Sequence, residues 1–210
     1  TGSTAVIIIS SIIGIIGIIY LFIGGLSLSA FSDSIYGMAL IIGGLAITIL
    51  GLGQLGDGNF LHGFDKIVQD TPEKLNGFGK VDSDVVPWPT LFFGMFFKNL
   101  FFWCANQMIV QKALAAKNLK ESQKGAIYLS LFKVFGPLFT VLPGVVAFNY
   151  FNGSIDKSDN AYPELVTSVL PEWAFGLFGA VIFGAILSSF VGSLNSTTTL
   201  LTLDLSLIHI

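Results

Sequence analysis

Five stretches of this chain are almost wholly apolar, at roughly 5–26, 35–56, 88–111, 126–150 and 173–203, with short polar segments between them. Each reaches the ~20 residues that an α-helix needs to cross the hydrocarbon core of a bilayer. Ile, Leu, Phe and Gly occupy every side of these stretches, without the polar stripe of a surface helix. The pattern therefore predicts an all-α membrane protein with five transmembrane helices. Only Gly24-Gly25 and a serine-rich stretch separate the first two spans, which predicts a tight helical hairpin. Composition agrees: 53% of the 210 residues are hydrophobic and 11% are charged, less than half the charge of an ordinary soluble domain. No core of this size hides so much apolar surface, so lipid is the solvent for much of the chain.

Charge orients the spans. The polar loop 57–87 carries six acids (Asp57, Asp65, Asp70, Glu73, Asp82, Asp84) against three lysines, whereas 112–124 carries Lys112, Lys117, Lys120 and Lys124 against Glu121 alone. The excess of lysine predicts that 112–124 is cytoplasmic. The first span then enters from outside, the acidic loop and 151–172 face outside, and the chain ends inside. Trp88 and Trp173, each opening a span, fall at the outer interface, where tryptophan is favoured. All ten basic residues are lysine, so there is no arginine-built surface for nucleic acid. The one cysteine, Cys104, rules out disulfides within the chain and cysteine-cluster metal sites. The chain opens on Thr1 without a basic leader-like segment, which reads as an internal piece of a longer protein.

Polar groups at membrane depth cost a few kcal/mol each on insertion scales and are functional candidates by default. Asp33 lies about 9 Å in from the cytoplasmic end of the second span, counted at 1.5 Å per residue from Ser27. It suits either a cation on an inner water path or a helix N-terminus favoured by the dipole. Near mid-depth in the third span are Lys98, to which no role attaches, and Asn99, whose amide suits a hydroxyl-bearing ligand or a helix–helix hydrogen bond. Gly94 followed by Asn99 predicts a helix that breaks near its middle, as transporter helices do where backbone groups bind solute. Lys133, about 12 Å into the fourth span and ahead of Gly136-Pro137, needs a partner or a hydrated cavity. In the fifth span Ala185 and Ser188-Ser189 are three and four residues apart, hence on one helix face. Hydroxyls there suit a hard cation such as Na+ or simple small-residue packing.

Other signals carry nothing. Gly51-Leu52-Gly53-Gln54-Leu55-Gly56 matches a dinucleotide fingerprint but closes a membrane span with no strand before it. Asn152-Gly153-Ser154 and Asn195-Ser196-Thr197 match the glycosylation pattern, the second inside a span, and His62 stands alone. No nucleophile–base constellation is present to suggest an enzyme, and no cofactor motif survives.

The run Trp103-Cys104-Ala105-Asn106-Gln107-Met108-Ile109-Val110-Gln111-Lys112-Ala113-Leu114-Ala115-Ala116-Lys117-Asn118 closely resembles the signature of sodium/sugar cotransporters in the sodium:solute symporter family. The likeness continues through Gln123-Lys124-Gly125, Lys133, Leu142-Pro143-Gly144, Ala161-Tyr162-Pro163 and Ser188-Ser189, and through 195–204. Gly24-Gly25-Leu26-Ser27 with Ser32-Asp33 fits the family's hairpin. The resemblance covers residues 1–204 and implies a partial LeuT-type five-plus-five inverted repeat, of which this chain holds core helices four to eight. It further implies Na+-coupled symport of a glucose- or galactose-like sugar, or a polyol, across the plasma membrane.

By the same resemblance Asn99, Lys133 and Gln107 are substrate-binding residues, and Phe102 and Trp103 form the inner gate. Ala185 (by its carbonyl), Ser188 and Ser189 supply half a sodium site, and Asp33 is an acid on the sodium exit route. Relatives carry Tyr at the position of Phe102, so the gate here lacks a hydroxyl. Those that couple two sodium ions carry hydroxyls at Val191 and Gly192, so one Na+ per turnover is expected. Another organic solute, such as an amino acid or a vitamin, and a symporter-like sensor module stay open as alternatives. The last six residues, 205–210, depart from the family pattern and read as a non-native tail left by sequencing or cloning.

Overall fold

The computed structural model describes residues 2–78, 81, 87–155 and 157–206. Asp82 and Asp84 of the acidic loop, and residues 207–210 of the tail, lie outside the described residues. The described chain is helical, in the order α1 (Gly2–Leu55), α2 (Phe60–Asp70), α3 (Trp88–Phe92), α4 (Gly94–Cys104), α5 (Gln107–Leu114), α6 (Leu119–Thr140), α7 (Leu142–Tyr150), α8 (Ala161–Val169) and α9 (Glu172–Leu200). Short 3-10 turns lie at Pro72–Leu75 and Ser158–Asn160, and α9 runs on through a wider-wound Leu201–Ser206. Among the described residues, three helical stretches are long and apolar enough to cross a membrane: Thr4–Leu55, Leu119–Tyr150 and Glu172–Ser206.

The first of these is a hairpin. A straight helix of its 52 residues would reach about 78 Å, more than twice the ~30 Å of a hydrocarbon core. Gly25 breaks it with φ 53° and ψ −150°, a conformation that only glycine adopts without strain. The two arms then lie side by side. The Tyr20 hydroxyl donates to the Leu28 carbonyl (3.1 Å) and pairs with the Ser32 hydroxyl. Along an unbroken helix Tyr20 and Ser32 would stand about 18 Å apart. The reversal falls at the predicted Gly24-Gly25.

The second arm of α1 packs antiparallel to α9, with Gly43 against the Phe178 ring, Gly184 against Tyr36, and Asp33 against Ser188. Small residues under large side chains let the helices approach closely, as is usual between membrane helices. The buried core lies at one end of this pair: Ile47 and Leu52 of α1, Ile67 of α2, Val146 and Ala147 of α7, Leu165, Val166 and Val169 of α8, and Phe178 of α9. Residues α3, α4 and α6 contribute have no buried member among them, an exposure that lipid does not penalise.

The third predicted span differs most from expectation. The sequence predicts a break near Gly94–Asn99, but the interruptions flank that segment, at Phe93 and at Ala105-Asn106. Pro89 starts the short α3, and the Asn106 side chain accepts from the Met108 N–H (2.9 Å), capping α5 in place of a continued helix. The fourth span also starts earlier than 126. Asn118 caps α6 by accepting from the Glu121 N–H (3.0 Å), so Lys120 and Lys124 ride on a helix, with Lys124 paired to Glu121 at 2.9 Å.

Candidate functional site

Asn99, Trp103 and Lys133 come together. Within α4 the Asn99 amide donates to the Met95 carbonyl (2.9 Å), and its carbonyl oxygen accepts from the Trp103 indole N–H (3.3 Å). The residues are four apart, so the regular helix supplies this register. The Lys133 ammonium of α6 stands 4.6 Å from the centre of the Trp103 ring, within reach of a cation–π attraction. Phe102 meets Trp103 edge to face at 5.0 Å. Lys133 thus finds the partner that its depth demands in an aromatic face, not in a carboxylate. Pro137 adds to this. Having no N–H, it leaves the carbonyl four residues earlier, that of Lys133, without its helical donor.

These groups are open to one side. Asn99 and Lys133 are exposed, and a shallow cleft of about 370 Å³ along α4 is lined by Leu91, Phe92, Met95, Phe96, Asn99 and Leu100. An amide with one N–H still free, a lysine and aromatic faces can together bind a polyhydroxylated solute. Gln107 is not part of this group. It is half-buried in the first turn of α5, beyond the break at Ala105-Asn106, and its side chain makes no hydrogen bond among the described residues. Lys98 is exposed on α4, and nothing in the structure explains it.

A second polar node ties three helices together at the hairpin end. Asp33 receives the Lys112 ammonium on one carboxylate oxygen and the Ser188 hydroxyl on the other. Its place, eight residues past Gly25, is beyond the first turn, where the dipole acts, so the N-terminal reading of Asp33 is set aside. Ser188 is buried, whereas the next residue, Ser189, is exposed and Ala185 is half-buried. The structure therefore turns Ser188 toward Asp33 and leaves Ser189 on the open side of α9. The helix is unbroken from Glu172 to Leu200, so the Ala185 carbonyl lies within its regular ladder. Ser29, four residues before Asp33, is fully buried, and Gln111, next to Lys112, is buried; among the described residues the Ser29 hydroxyl and the Gln111 amide nitrogen have no partner.

Lys112 is the member of this node that sequence reasoning missed. Charge counting places it among the loop lysines, yet it sits in the last turn of α5 and points inward to Asp33. The signal lay in the charge-derived topology, which puts Asp33 and Lys112 at the same cytoplasmic level with opposite charge.

Comparison with known proteins adds to this geometry. The profile described as "Sodium:solute symporter family" matches residues 3–208. The chain is 44% identical over 194 residues to the uncharacterized symporter YidK of Escherichia coli (strain K12), covering 92% of this chain and 34% of that protein. It is 32% identical to a sodium/glucose cotransporter of Vibrio parahaemolyticus (93% of this chain, 40% of that protein). It is 30% identical to sodium/myo-inositol cotransporter 2 of Homo sapiens (93% of this chain, 33% of that protein). The chain thus spans between 33% and 40% of the length of these relatives.

Proposed function

This chain belongs to the sodium:solute symporter family, and from that premise we propose that the full-length protein carries a sugar or related polyol across the plasma membrane together with Na+. The chain supplies five membrane helices: the two arms of α1, the broken α3–α5, α6 with α7, and α9. They form core helices four to eight of a LeuT-type five-plus-five inverted repeat, with the start of the chain outside and its end inside. The observation that carries the substrate reading is the Asn99–Trp103–Lys133 group. It sets hydrogen-bonding groups beside aromatic faces on broken and kinked helices, where hydroxyls and ring faces of a sugar are both met. Relatives named for glucose and myo-inositol support the solute class.

In this reading Asn99 and Lys133 bind the solute, with Gln107 approaching from α5 in one of the transport states. Phe102 and Trp103 close the inner side by packing alone, since Phe102 has no hydroxyl. The Ala185 carbonyl and the Ser188 and Ser189 hydroxyls form the α9 half of the sodium site, and Asp33 lines the way by which Na+ leaves. Sodium favours the outward-open state because it binds that state better, and the same difference couples the two fluxes.

Uptake of labelled glucose and myo-inositol by the full-length protein in proteoliposomes, with and without an inward Na+ gradient, tests the reading. Gradient-dependent uptake of one of them at one Na+ per solute is expected; a ratio of two would overturn the stoichiometry. Ser189→Ala removes an oxygen from a charged ligand and is expected to raise the Na+ concentration for half-maximal uptake about tenfold, with little change in the solute KM at saturating Na+. An unchanged Na+ dependence would remove Ser189 from the site.

A further inference from the structure

The joint between α6 and α7 is held from the side by the second arm of α1. Its own backbone bonds run from the Val141 N–H to Pro137 (2.9 Å) and from the Gly144 and Val145 N–H groups to Val141 (3.0 and 3.3 Å). None of these reaches the carbonyl of Leu138 or of Phe139, and Pro143 has no N–H to give to Phe139 four residues earlier. The buried Thr48 hydroxyl brings a donor to the joint. Its one proton is within reach of two carbonyls, that of Gly44 in its own helix (2.8 Å) and that of Leu138 in α6 (3.1 Å). One turn away the bare backbone of Gly44 lies against Phe139: a Cβ there would stand 3.0 Å from both the carbonyl oxygen and the Cβ of Phe139. We propose that Thr48, seated by Gly44, is a positioning residue for the solute site: it fixes the joint from which α6 presents Lys133 to Trp103. The proposal rests on the reading of Lys133 as a solute ligand.

The two sides of the joint are held differently. On one side Pro143, Val146 and Ala147 of α7 are buried, and a Val146 methyl packs onto the backbone of Gly51 in α1. On the other side α6 has no buried member. Among the described residues, the direction of α6 is therefore set chiefly at the joint. Lys133 lies eight residues before Val141, about 12 Å along the helix, so a tilt of about 10° there displaces it by about 2 Å. Hydrogen bonds to nitrogen donors span only about 2.7–3.2 Å, so a shift of that size removes the lysine from a bound solute. The shared proton also makes the hold releasable. When α6 tilts away, the Thr48 hydroxyl keeps the Gly44 carbonyl, and no buried donor is left unpaired. A threonine elsewhere between these helices would add stability alone; at the joint its bond decides where the lysine stands.

The test is uptake of labelled glucose and myo-inositol by the full-length protein in proteoliposomes at saturating Na+. Thr48→Val keeps the shape of the side chain and removes the donor. It is expected to raise the solute KM about 3- to 10-fold, the worth of one neutral hydrogen bond, with the Na+ dependence little changed. Thr48→Ser keeps a hydroxyl and should restore the wild-type KM. Because Thr48 acts through Lys133, Thr48→Val added to Lys133→Ala should raise the KM no further. A purely structural threonine would lower the melting temperature and leave the KM alone. An unchanged KM in Thr48→Val, or the same rise with Lys133 already removed, overturns the proposal. If Thr48→Val does not fold, Gly44→Ala decides, since its methyl presses on Phe139 with the Thr48 hydroxyl still in place. The same Lys133-dependent rise is expected, and an unchanged KM again refutes the proposal. Amide hydrogen exchange on the purified protein is independent of what is transported. Exchange across 141–145 should quicken in Thr48→Val and not in Thr48→Ser, and an unchanged rate would show that Thr48 does not hold the joint. A wild type that takes up neither solute refutes the transport reading and leaves the exchange rates to decide on the joint.

Discussion

Lys133→Ala in the full-length protein is expected to lower kcat/KM for solute uptake by about 10- to 100-fold, the equivalent of losing one charge-assisted hydrogen bond of roughly 1.5–3 kcal/mol. Most of the loss should appear as a raised KM, because the ammonium binds the solute and takes no part in bond making. Two contributions add. The alanine removes the donors that face the solute, and it removes the cation that lies 4.6 Å over the Trp103 ring, leaving the indole its hydrogen bond to Asn99 and its edge contact with Phe102. Lys133→Arg separates them. A guanidinium restores the stacked cation but presents a planar fork in place of a compact ammonium. It should therefore keep Trp103 in place, with near-normal tryptophan fluorescence, while recovering only part of the affinity. The check is initial rates of labelled solute at saturating Na+, with surface expression measured alongside. An unchanged KM in Lys133→Ala would take Lys133 out of the solute site, and a loss of Na+ affinity in its place would move it to the ion pathway.

The parts of this architecture that one-dimensional signals carry are those that depend on burial in lipid. Uninterrupted apolar runs located the long helices, and Gly24-Gly25 located the hairpin reversal, because a 52-residue apolar helix has no bilayer to span and glycine is where the chain can turn. Asn99 and Lys133 stood out because each is costly at membrane depth, whereas Trp103 entered only through the family resemblance. The segments that escaped are decided by local competition or by distant partners. The break at Ala105-Asn106 comes from a side-chain cap, and the residues on either side look equally suited to a continuous helix. Lys112 escaped because charge counting assigns every lysine near a span end to the headgroups, whereas its partner is 79 residues away on another helix. The 57–87 segment read as a polar loop, yet its first part is α2, whose Ile67 is fully buried in the core beside Leu52 of α1 and Val146 of α7.

That buried turn of α2 sets the largest expected effect on folding. Gly63→Val should lower the melting temperature of the full-length protein sharply and expose the 57–78 segment to protease. A Cβ at Gly63 would run into the carbonyl oxygen and carbon of Leu52 in α1, and Gly56 in turn abuts the backbone of Asn59 and Gly63. These are backbone atoms of two helices and cannot step aside as a flexible side chain would. The Leu52 carbonyl is also fixed, since it accepts from the Gly56 N–H at 3.0 Å at the end of α1. The helix α2 must therefore move away. Doing so uncovers Ile67, worth roughly 1.5–3 kcal/mol of apolar burial, on top of the 1–3 kcal/mol typical of forced overpacking. It also pulls Thr71 from Asn149 of α7, whose amide donates to the Thr71 hydroxyl at 2.9 Å. Gly53→Ala is the control. Nothing lies within 4 Å of a Cβ there, and alanine is the better helix former by about 1 kcal/mol, so stability should hold or rise. If Gly63→Val melted and resisted protease as the wild type does, the backbone contact between α1 and α2 would not exist in the folded protein. Loss of α2 docking with solute uptake intact would confine its role to stability. Because the buried core at this end joins α1, α2, α7 and α8, the expected result is that both fall together.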